Sequence, residues 1–76
     1  METDVTLTPE TYHVLEKVPA CWFDEEIVVH GIAQALPMGI GETRRRLTHL
    51  RTLGFIERRR VQTITPRFEL RKIAKD

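Results

Sequence analysis

The chain has 76 residues, which is room for one small domain, and 41% of them are hydrophobic. That hydrophobic share argues against disorder throughout. The single cysteine, Cys21, excludes an internal disulfide, and we expect it to be buried as a small apolar side chain. No apolar run approaches the roughly 20 residues of a membrane span, and the N-terminus lacks the layout of a signal peptide. We therefore expect one domain over residues 1–76, in the cytoplasm, with residues 1–7 loosely held.

Charge is divided unevenly along the chain, although the net charge is only +1. Residues 1–43 hold eight acidic residues and one lysine, a net charge of −7. Residues 44–76 hold eleven lysines and arginines and three acidic residues, a net charge of +8. A basic face positioned by an acidic back is typical of a phosphate-binding footprint. The alternative is that the two halves neutralise each other across the fold.

Two helices are predicted in the acidic half from capping residues and apolar spacing. Thr8 caps the first helix, which Pro9 opens and Pro19 ends. Asp24 caps the second helix, which Pro37 ends. The inner stripe of the first helix is expected to comprise Tyr12, Leu15 and Val18. The buried side of the second helix is expected to comprise Ile27, Val28, Ile32, Ala35 and Leu36.

The connector between these helices, residues 20–23, is apolar. It is expected to be extended, or to form a brief strand, with Trp22 or Phe23 buried. A further turn precedes the third helix, and Ile40 within it is expected to fill the core.

A third, basic helix is predicted from Gly41 or Glu42 to Leu53, and Gly54 follows at the left-handed position that ends many helices. The side of this helix that faces the core is expected to carry Thr43, Leu47, Leu50 and Leu53. Three successive arginines near its start span about 200° around the axis, so they cannot all face one groove. Arg45 should point most directly outward with Arg44 beside it, while Arg46 should run along the edge of the core.

Beyond Gly54 the apolar period changes from about 3.6 to about 2 residues, which predicts antiparallel strands over 55–61 and 67–72 joined by the loop 62–66. Phe68 and Leu70 are expected on one face of this hairpin. In the arginine run 58–60, Arg59 faces away from its two neighbours.

Three helices followed by Gly54-Phe55-Ile56-Glu57-Arg58 and a hairpin resemble the winged helix-turn-helix domain over about residues 8–72. Residues 40–60 are similar to the corresponding segment of MarR-like and ArsR-like regulators. The resemblance implies an α+β fold of three helices and a C-terminal two-stranded β-hairpin wing. It also implies that the third helix enters the DNA major groove and that the wing contacts the neighbouring backbone or minor groove. Those families have further terminal helices for dimerisation and ligand sensing, for which this chain has no room.

By position, the resemblance assigns DNA contacts to two sets of residues. The set on the third helix is Arg44, Arg45, Thr48, His49 and Thr52. The set on the wing is Arg58, Arg59, Arg60, Gln62, Thr63 and Arg67. The alternative for the arginines near the start of the third helix is a solvated patch that pairs with Glu42 or with the acidic second helix. The predicted function is sequence-specific binding of double-stranded DNA, as a small transcriptional regulator or a phage- or plasmid-type accessory factor. A homodimer is expected if the site is palindromic, because one helix reads few base pairs.

The alternative is a winged helix that binds proteins, using its acidic N-terminal half or its arginine-rich wing. An enzyme is not expected, because serine is absent, Cys21 has no evident histidine partner and no glycine-rich phosphate loop is present. The histidines His13, His30 and His49 are not arranged with acids or cysteine as metal ligands. We therefore expect no metal, no cofactor and no small-molecule ligand.

Overall fold

The computed structural model describes residues 7–73. The expectation that residues 1–7 are loosely held lies outside the described residues except at Leu7, which packs against the core. The elements are α1 (Pro9–Lys17), β1 (Phe23–Asp24), α2 (Glu25–Ala35), α3 (Ile40–Thr52), β2 (Ile56–Val61) and β3 (Arg67–Lys72). Over this range the fold is α+β, with three helices and a three-stranded antiparallel sheet in the order β1-β3-β2.

The sheet has one strand more than the expected two-stranded hairpin. The predicted hairpin is present, but the connector before α2 also lies antiparallel to β3, with Phe23 opposite Leu70 and Asp24 opposite Glu69. The backbone N–H of Lys72 donates to the carbonyl of Pro19 at 2.7 Å, which extends this contact along the connector. Strand β1 fixes the start of α2 against the hairpin.

Helix α1 begins as predicted, but its buried side differs from the expected one. The Thr8 hydroxyl accepts the backbone N–H of Thr11 at 3.2 Å, and Pro9 occupies the first turn. The fully buried positions are Thr11, Val14 and Val18. Tyr12 was expected in this stripe but is 52% exposed, because it lies about 100° around the helix from Thr11.

Helix α2 also has a correctly predicted start and a differently placed core face. Asp24 Oδ1 accepts the N–H groups of Glu26 and Ile27 at 2.9 and 3.4 Å. The buried residues are Val28, Val29 and Ile32. Ile27 is 59% exposed and Ala35 is exposed, so both expectations of burial are wrong. Ile27 lies about 140° around the helix from Ile32, on the solvent side, and Ala35 is the last residue of α2.

The connector before α2 is less buried than its composition predicts. Phe23 is 44% exposed at the edge of the sheet, and Trp22 is half-buried. Cys21 is exposed, not buried as expected. Trp22 covers the sheet face away from the helices, where the guanidinium carbons of Arg59 and Arg71 lie 4.3 and 4.8 Å from its ring centroid. Its environment is therefore arginine side chains and not the core.

Helix α3 begins at Ile40, slightly earlier than predicted. Ile40 consequently lies in the first helical turn and is 41% exposed, so it does not fill the core. Thr43 is completely buried, and its hydroxyl donates to the carbonyl of Gly39 at 2.9 Å. This bond satisfies the one polar group that α3 places in the core.

The end of α3 follows the predicted glycine stop. Gly54 has a φ of +89°, and its N–H donates to the Arg51 carbonyl at 3.1 Å. The N–H of Phe55 donates to the Leu50 carbonyl at 3.0 Å. These two bonds are those of a Schellman motif. The motif turns the chain directly from α3 into β2.

The core lies between the three helices and one face of the sheet. The hydrophobic residues buried there are Val14, Val18, Val28, Val29, Ile32, Leu47, Leu50, Ile56 and Leu70. In the hairpin, Arg58 stands opposite Leu70 and Arg60 opposite Phe68, so these two arginines share the face that packs on the helices. Arg59 stands opposite Glu69 on the other face, as the alternation predicts.

Candidate nucleic-acid interface

The outer side of α3 presents the helix residues that the sequence assigned to DNA. All five are exposed and line one shallow depression: Arg44, Arg45, Thr48, His49 and Thr52. The Thr52 hydroxyl donates to the Thr48 carbonyl at 3.0 Å, so its oxygen can act toward a ligand only as an acceptor. The surface therefore offers two guanidinium groups, an imidazole and two threonines on a helix whose other side is anchored in the core.

Arg46 lies on the core edge of α3, as predicted. Its Nη2 and Nε lie 2.8 and 3.1 Å from Glu42 Oε2. Its Nη1 donates to the hydroxyl of the buried Thr11 at 2.8 Å. These bonds hold Arg46 against α1, at the edge of a depression that it lines together with Arg45 and His49.

Arg44 is drawn toward α2 by a carboxylate. Its Nη2 lies 2.8 Å from Glu26 Oε1, and His30 Nε2 lies 3.6 Å from the same oxygen. The hydrogen bond from Arg44 holds the pKa of the Glu26 carboxyl below its ordinary value, although desolvation acts in the opposite direction, and the same bond raises the pKa of Arg44. Both side chains are well exposed, so water screens the pair and its contribution to stability is small.

The hairpin arginines point in two directions. Arg58 Nε and Nη2 lie 3.1 and 3.3 Å from the two carboxylate oxygens of Glu25, and its guanidinium carbon lies 3.5 Å from the Phe68 ring centroid. Arg59, on the far face of the sheet, has Nη2 2.8 Å from Glu69 Oε1. The structure therefore places Arg58 beside α3 and separates Arg59 from it.

The remaining hairpin residues that were assigned to DNA lie at or near the hairpin loop. Gln62 and Thr63 are exposed there, and the Thr63 hydroxyl donates to the Thr65 carbonyl. Arg67 opens β3, with its Nε 3.7 Å from Asp24 Oδ2. Ile64, at the tip, is fully exposed. The loop thus projects polar side chains and one isoleucine beyond the body of the domain.

The acidic start of α2 links the two charged halves of the chain. Asp24, Glu25 and Glu26 pair respectively with Arg67 on β3, Arg58 on β2 and Arg44 on α3. Part of the charge division is therefore neutralised across the fold, which was the alternative to a purely basic footprint. By contrast, Arg45, Arg51 and Arg60 form no ion pair within residues 7–73.

Sequence reasoning missed Arg51. This exposed residue of α3 lines a cleft of about 190 Å³ between α2, α3 and β2, together with Arg44, Thr48, Arg58 and Glu25. Residues three, four and seven apart lie on one side of a helix. The spacing of Arg51 from Arg44 and Thr48 was therefore the signal that could have identified it.

In the part of the chain that the structure describes, no three histidine, cysteine or acidic side chains are grouped so that they could hold a metal ion. No helix in that part is long and apolar enough to cross a membrane.

The geometry is thus a basic outer side of α3 flanked by a hairpin, with part of its charge paired to α2. No protein-family model matches the chain, and neither the curated proteins nor the solved structures contain a match to it.

Proposed function

We propose that this protein is a winged helix-turn-helix domain that binds double-stranded DNA in a sequence-specific manner. The observation that carries the proposal is the outer side of α3, where Arg45, Thr48, His49 and Thr52 are exposed together while Leu47 and Leu50 anchor the opposite side. A helix of 13 residues fixed in this way can enter a major groove and present its side chains to base edges.

The arrangement around α3 supports the same proposal. Helix α2 ends at Ala35 and α3 begins at Ile40, so a short turn containing Gly39 joins them, as is typical of helix-turn-helix motifs. The hairpin follows α3 directly through Gly54. Arg60, Gln62 and Thr63 lie on the hairpin or its loop, where we expect contacts to the DNA backbone.

Arg45 is the residue we assign to base recognition. It is exposed, it points away from the core, and it has no ion pair within the described range to compete with a base. A bidentate contact from an arginine to guanine contributes about 1–3 kcal/mol of discrimination. A role in transcriptional control, or as a phage- or plasmid-type accessory factor, is the biological setting we propose, with a homodimer on palindromic sites.

The proposal is tested by binding to a pool of random duplexes over a range of salt concentrations. Affinity should fall steeply as salt rises, because bound arginines release counterions from the phosphates. A variant with Arg45, Arg51 and Arg60 changed to glutamine should lose most of this binding. A matched control with Lys17, Arg59 and Arg71 changed to glutamine loses the same charge from other surfaces and should keep it. Absence of duplex binding at low salt, or equal loss in both variants, would refute the proposal.

A second function, protein binding, is favoured by a different surface. Phe23 and Ile27 are large apolar side chains that the fold leaves 44% and 59% exposed, and they line a groove with Pro19 and Gly31. Sedimentation of the wild-type protein and of Ile27→Asp tests whether this surface joins two copies. A dimer that the substitution dissociates supports this function, and a monomer in both cases argues against it.

A further inference from the structure

The first turn of α2 holds two arginines of the proposed DNA-binding surface. Glu25 accepts two hydrogen bonds from Arg58, and Glu26 accepts one from Arg44. We propose that Glu25 and Glu26 are specificity-determining residues that suppress non-specific DNA binding, because their carboxylates occupy guanidinium groups that backbone phosphates would otherwise bind. This inference rests on the proposed function and adds to it residues from the acidic half of the chain.

The chemistry of the Arg58–Glu25 pair is that of an arginine bound to phosphate. Two adjacent N–H groups of the guanidinium face the two carboxylate oxygens, with distances of 3.1 and 3.3 Å. Arginine binds phosphate oxygens through the same fork. The Glu25 side chain is only 18% exposed, and the Phe68 ring lies against Arg58, so the pair is held in place on both sides. A phosphate must therefore displace the Glu25 carboxylate in order to bind Arg58.

The Arg44–Glu26 pair is the more easily exchanged of the two. It has a single short contact of 2.8 Å, and its side chains are 44% and 59% exposed. Arg44 also belongs to the depression on the outer side of α3. This arginine can therefore turn from Glu26 toward DNA without disturbing the core, although doing so leaves the Glu26 carboxylate close to the phosphates.

The cleft between α2, α3 and β2 brings these groups together. Arg44, Arg51 and Arg58 line it with Glu25, and Glu26 binds Arg44 at its edge. The three guanidinium groups and two carboxylates leave a local net charge of +1. Each carboxylate removed would raise that charge by one and free one arginine for phosphate. The two glutamates thus set how strongly this cleft attracts a polyanion.

The effect should fall mainly on non-specific binding. A duplex of arbitrary sequence is held almost entirely by its phosphates, whereas a specific site also gains base contacts from α3. Competition for Arg44 and Arg58 therefore removes a larger share of the non-specific binding energy. One additional counterion released changes affinity by about 3.5-fold between 50 and 200 mM salt.

The experiment compares the full-length wild-type protein with Glu25→Gln, Glu26→Gln and Glu42→Gln on a fluorescent random-sequence duplex. Glu42→Gln is the matched control, because it makes the same charge change and removes the carboxylate partner of Arg46, whose guanidinium group remains bonded to Thr11 of α1. Thermal melts monitored by circular dichroism establish that each variant is folded. Glu26→Gln is also measured in the Arg44→Gln background, where most of its effect should be lost if Glu26 acts through Arg44.

We expect Glu25→Gln and Glu26→Gln to bind the random duplex on the order of 3- to 10-fold more tightly at 50 mM salt, with a steeper salt dependence. Glu42→Gln should increase affinity for the random duplex clearly less. If the wild type binds duplex and both variants gain no more than Glu42→Gln, this inference is overturned while the proposed function stands. If neither the wild type nor any variant binds duplex at 50 mM salt, both are overturned.

Discussion

Arg46 Nη1 lies 2.8 Å from the hydroxyl oxygen of Thr11, which joins α3 to α1 through a polar group that is only 4% exposed. The same guanidinium group is bound to Glu42 by two further hydrogen bonds. This contact is one reason why three consecutive arginines on one helix have different roles. Arg46 contributes to the fold, Arg44 pairs with α2, and Arg45 is left facing outward.

Arg46→Ala should destabilise the fold by about 1–2 kcal/mol, because it removes packing along the core edge and weakens the hydrogen bonding of buried Thr11. Arg45→Ala is the control on the same helix, and it should change stability by less than about 0.5 kcal/mol because Arg45 is exposed and unpaired within residues 7–73. Urea unfolding measures both. Equal losses of stability in the two variants would contradict the assignment of Arg46 to the fold.

Alanine substitution at two glycines should change the free energy of unfolding in opposite directions. Gly54 has a φ of +89°, so Gly54→Ala should cost about 1 kcal/mol. Gly31 lies within α2, and a Cβ there would meet no atom within 4 Å, so Gly31→Ala should stabilise the protein by up to about 1 kcal/mol. Thermal unfolding of the pair tests the Schellman end of α3, and a stabilising Gly54→Ala would show that end to be wrong.

The Glu26 carboxyl should give a small pH dependence to stability. Its hydrogen bond from Arg44 holds its pKa in the folded protein below the ordinary value of 4.5, and protonated His30 acts in the same direction. Between the folded pKa and the ordinary value, the unfolded chain therefore binds more protons than the folded protein does. The contribution of Glu26 to stability is present above the ordinary value and is lost as pH falls through the folded pKa.

The difference in unfolding free energy between wild type and Glu26→Gln should be fully present above pH about 5 and should shrink as pH falls below about 4. It should stay within about 1 kcal/mol, because both partners are exposed and screened. Urea titrations at several pH values measure it. A difference that grows on acidification would mean that Arg44 does not stabilise the charged carboxylate.

Arg60 and Arg59 are neighbours in sequence that should differ in DNA binding. Arg60 shares the hairpin face with Phe68 and has no ion pair in the described part of the chain, whereas Arg59 is held by Glu69 and Trp22 on the opposite face. Arg60→Ala should weaken binding to all duplexes about equally and should reduce the salt slope by about 1.

Arg59→Ala should have a smaller effect on DNA affinity, since its side chain lies away from α3. Fluorescence anisotropy on one duplex at several salt concentrations measures both variants. A larger loss for Arg59→Ala would indicate that DNA contacts the far face of the sheet.

Local chemistry allowed the helices and the hairpin to be predicted. Helix starts and stops could be placed from sequence because capping involves residues only a few positions apart, as at Thr8, Asp24 and Gly54. The buried side of α2 could not be predicted from local chemistry. Ile27, Val28 and Val29 are consecutive apolar residues, and only packing against α3 and the sheet selects Val28 and Val29 for the core.

The individual carboxylates that pair with Arg44 and Arg58 could not be predicted for a similar reason, although the second helix as a whole was an expected alternative partner for the arginines of α3. Arg44 and Glu26 are 18 positions apart, and Arg58 and Glu25 are 33 apart. Composition revealed that the two halves carry opposite charge, but only the antiparallel seating of β1 on β3 brings the start of α2 to the hairpin. Strand β1 is only two residues long, which is too short for a periodic signal.

The most direct test of the central claim, that α3 reads DNA sequence, is the effect of Arg45→Ala on discrimination between duplexes. The wild-type protein first selects a preferred sequence from a random pool, and the affinity of both proteins is then measured for that sequence and for a scrambled one. We predict that Arg45→Ala loses about 5- to 150-fold on the selected duplex and much less on the scrambled one. An unchanged ratio between the two duplexes would contradict the claim.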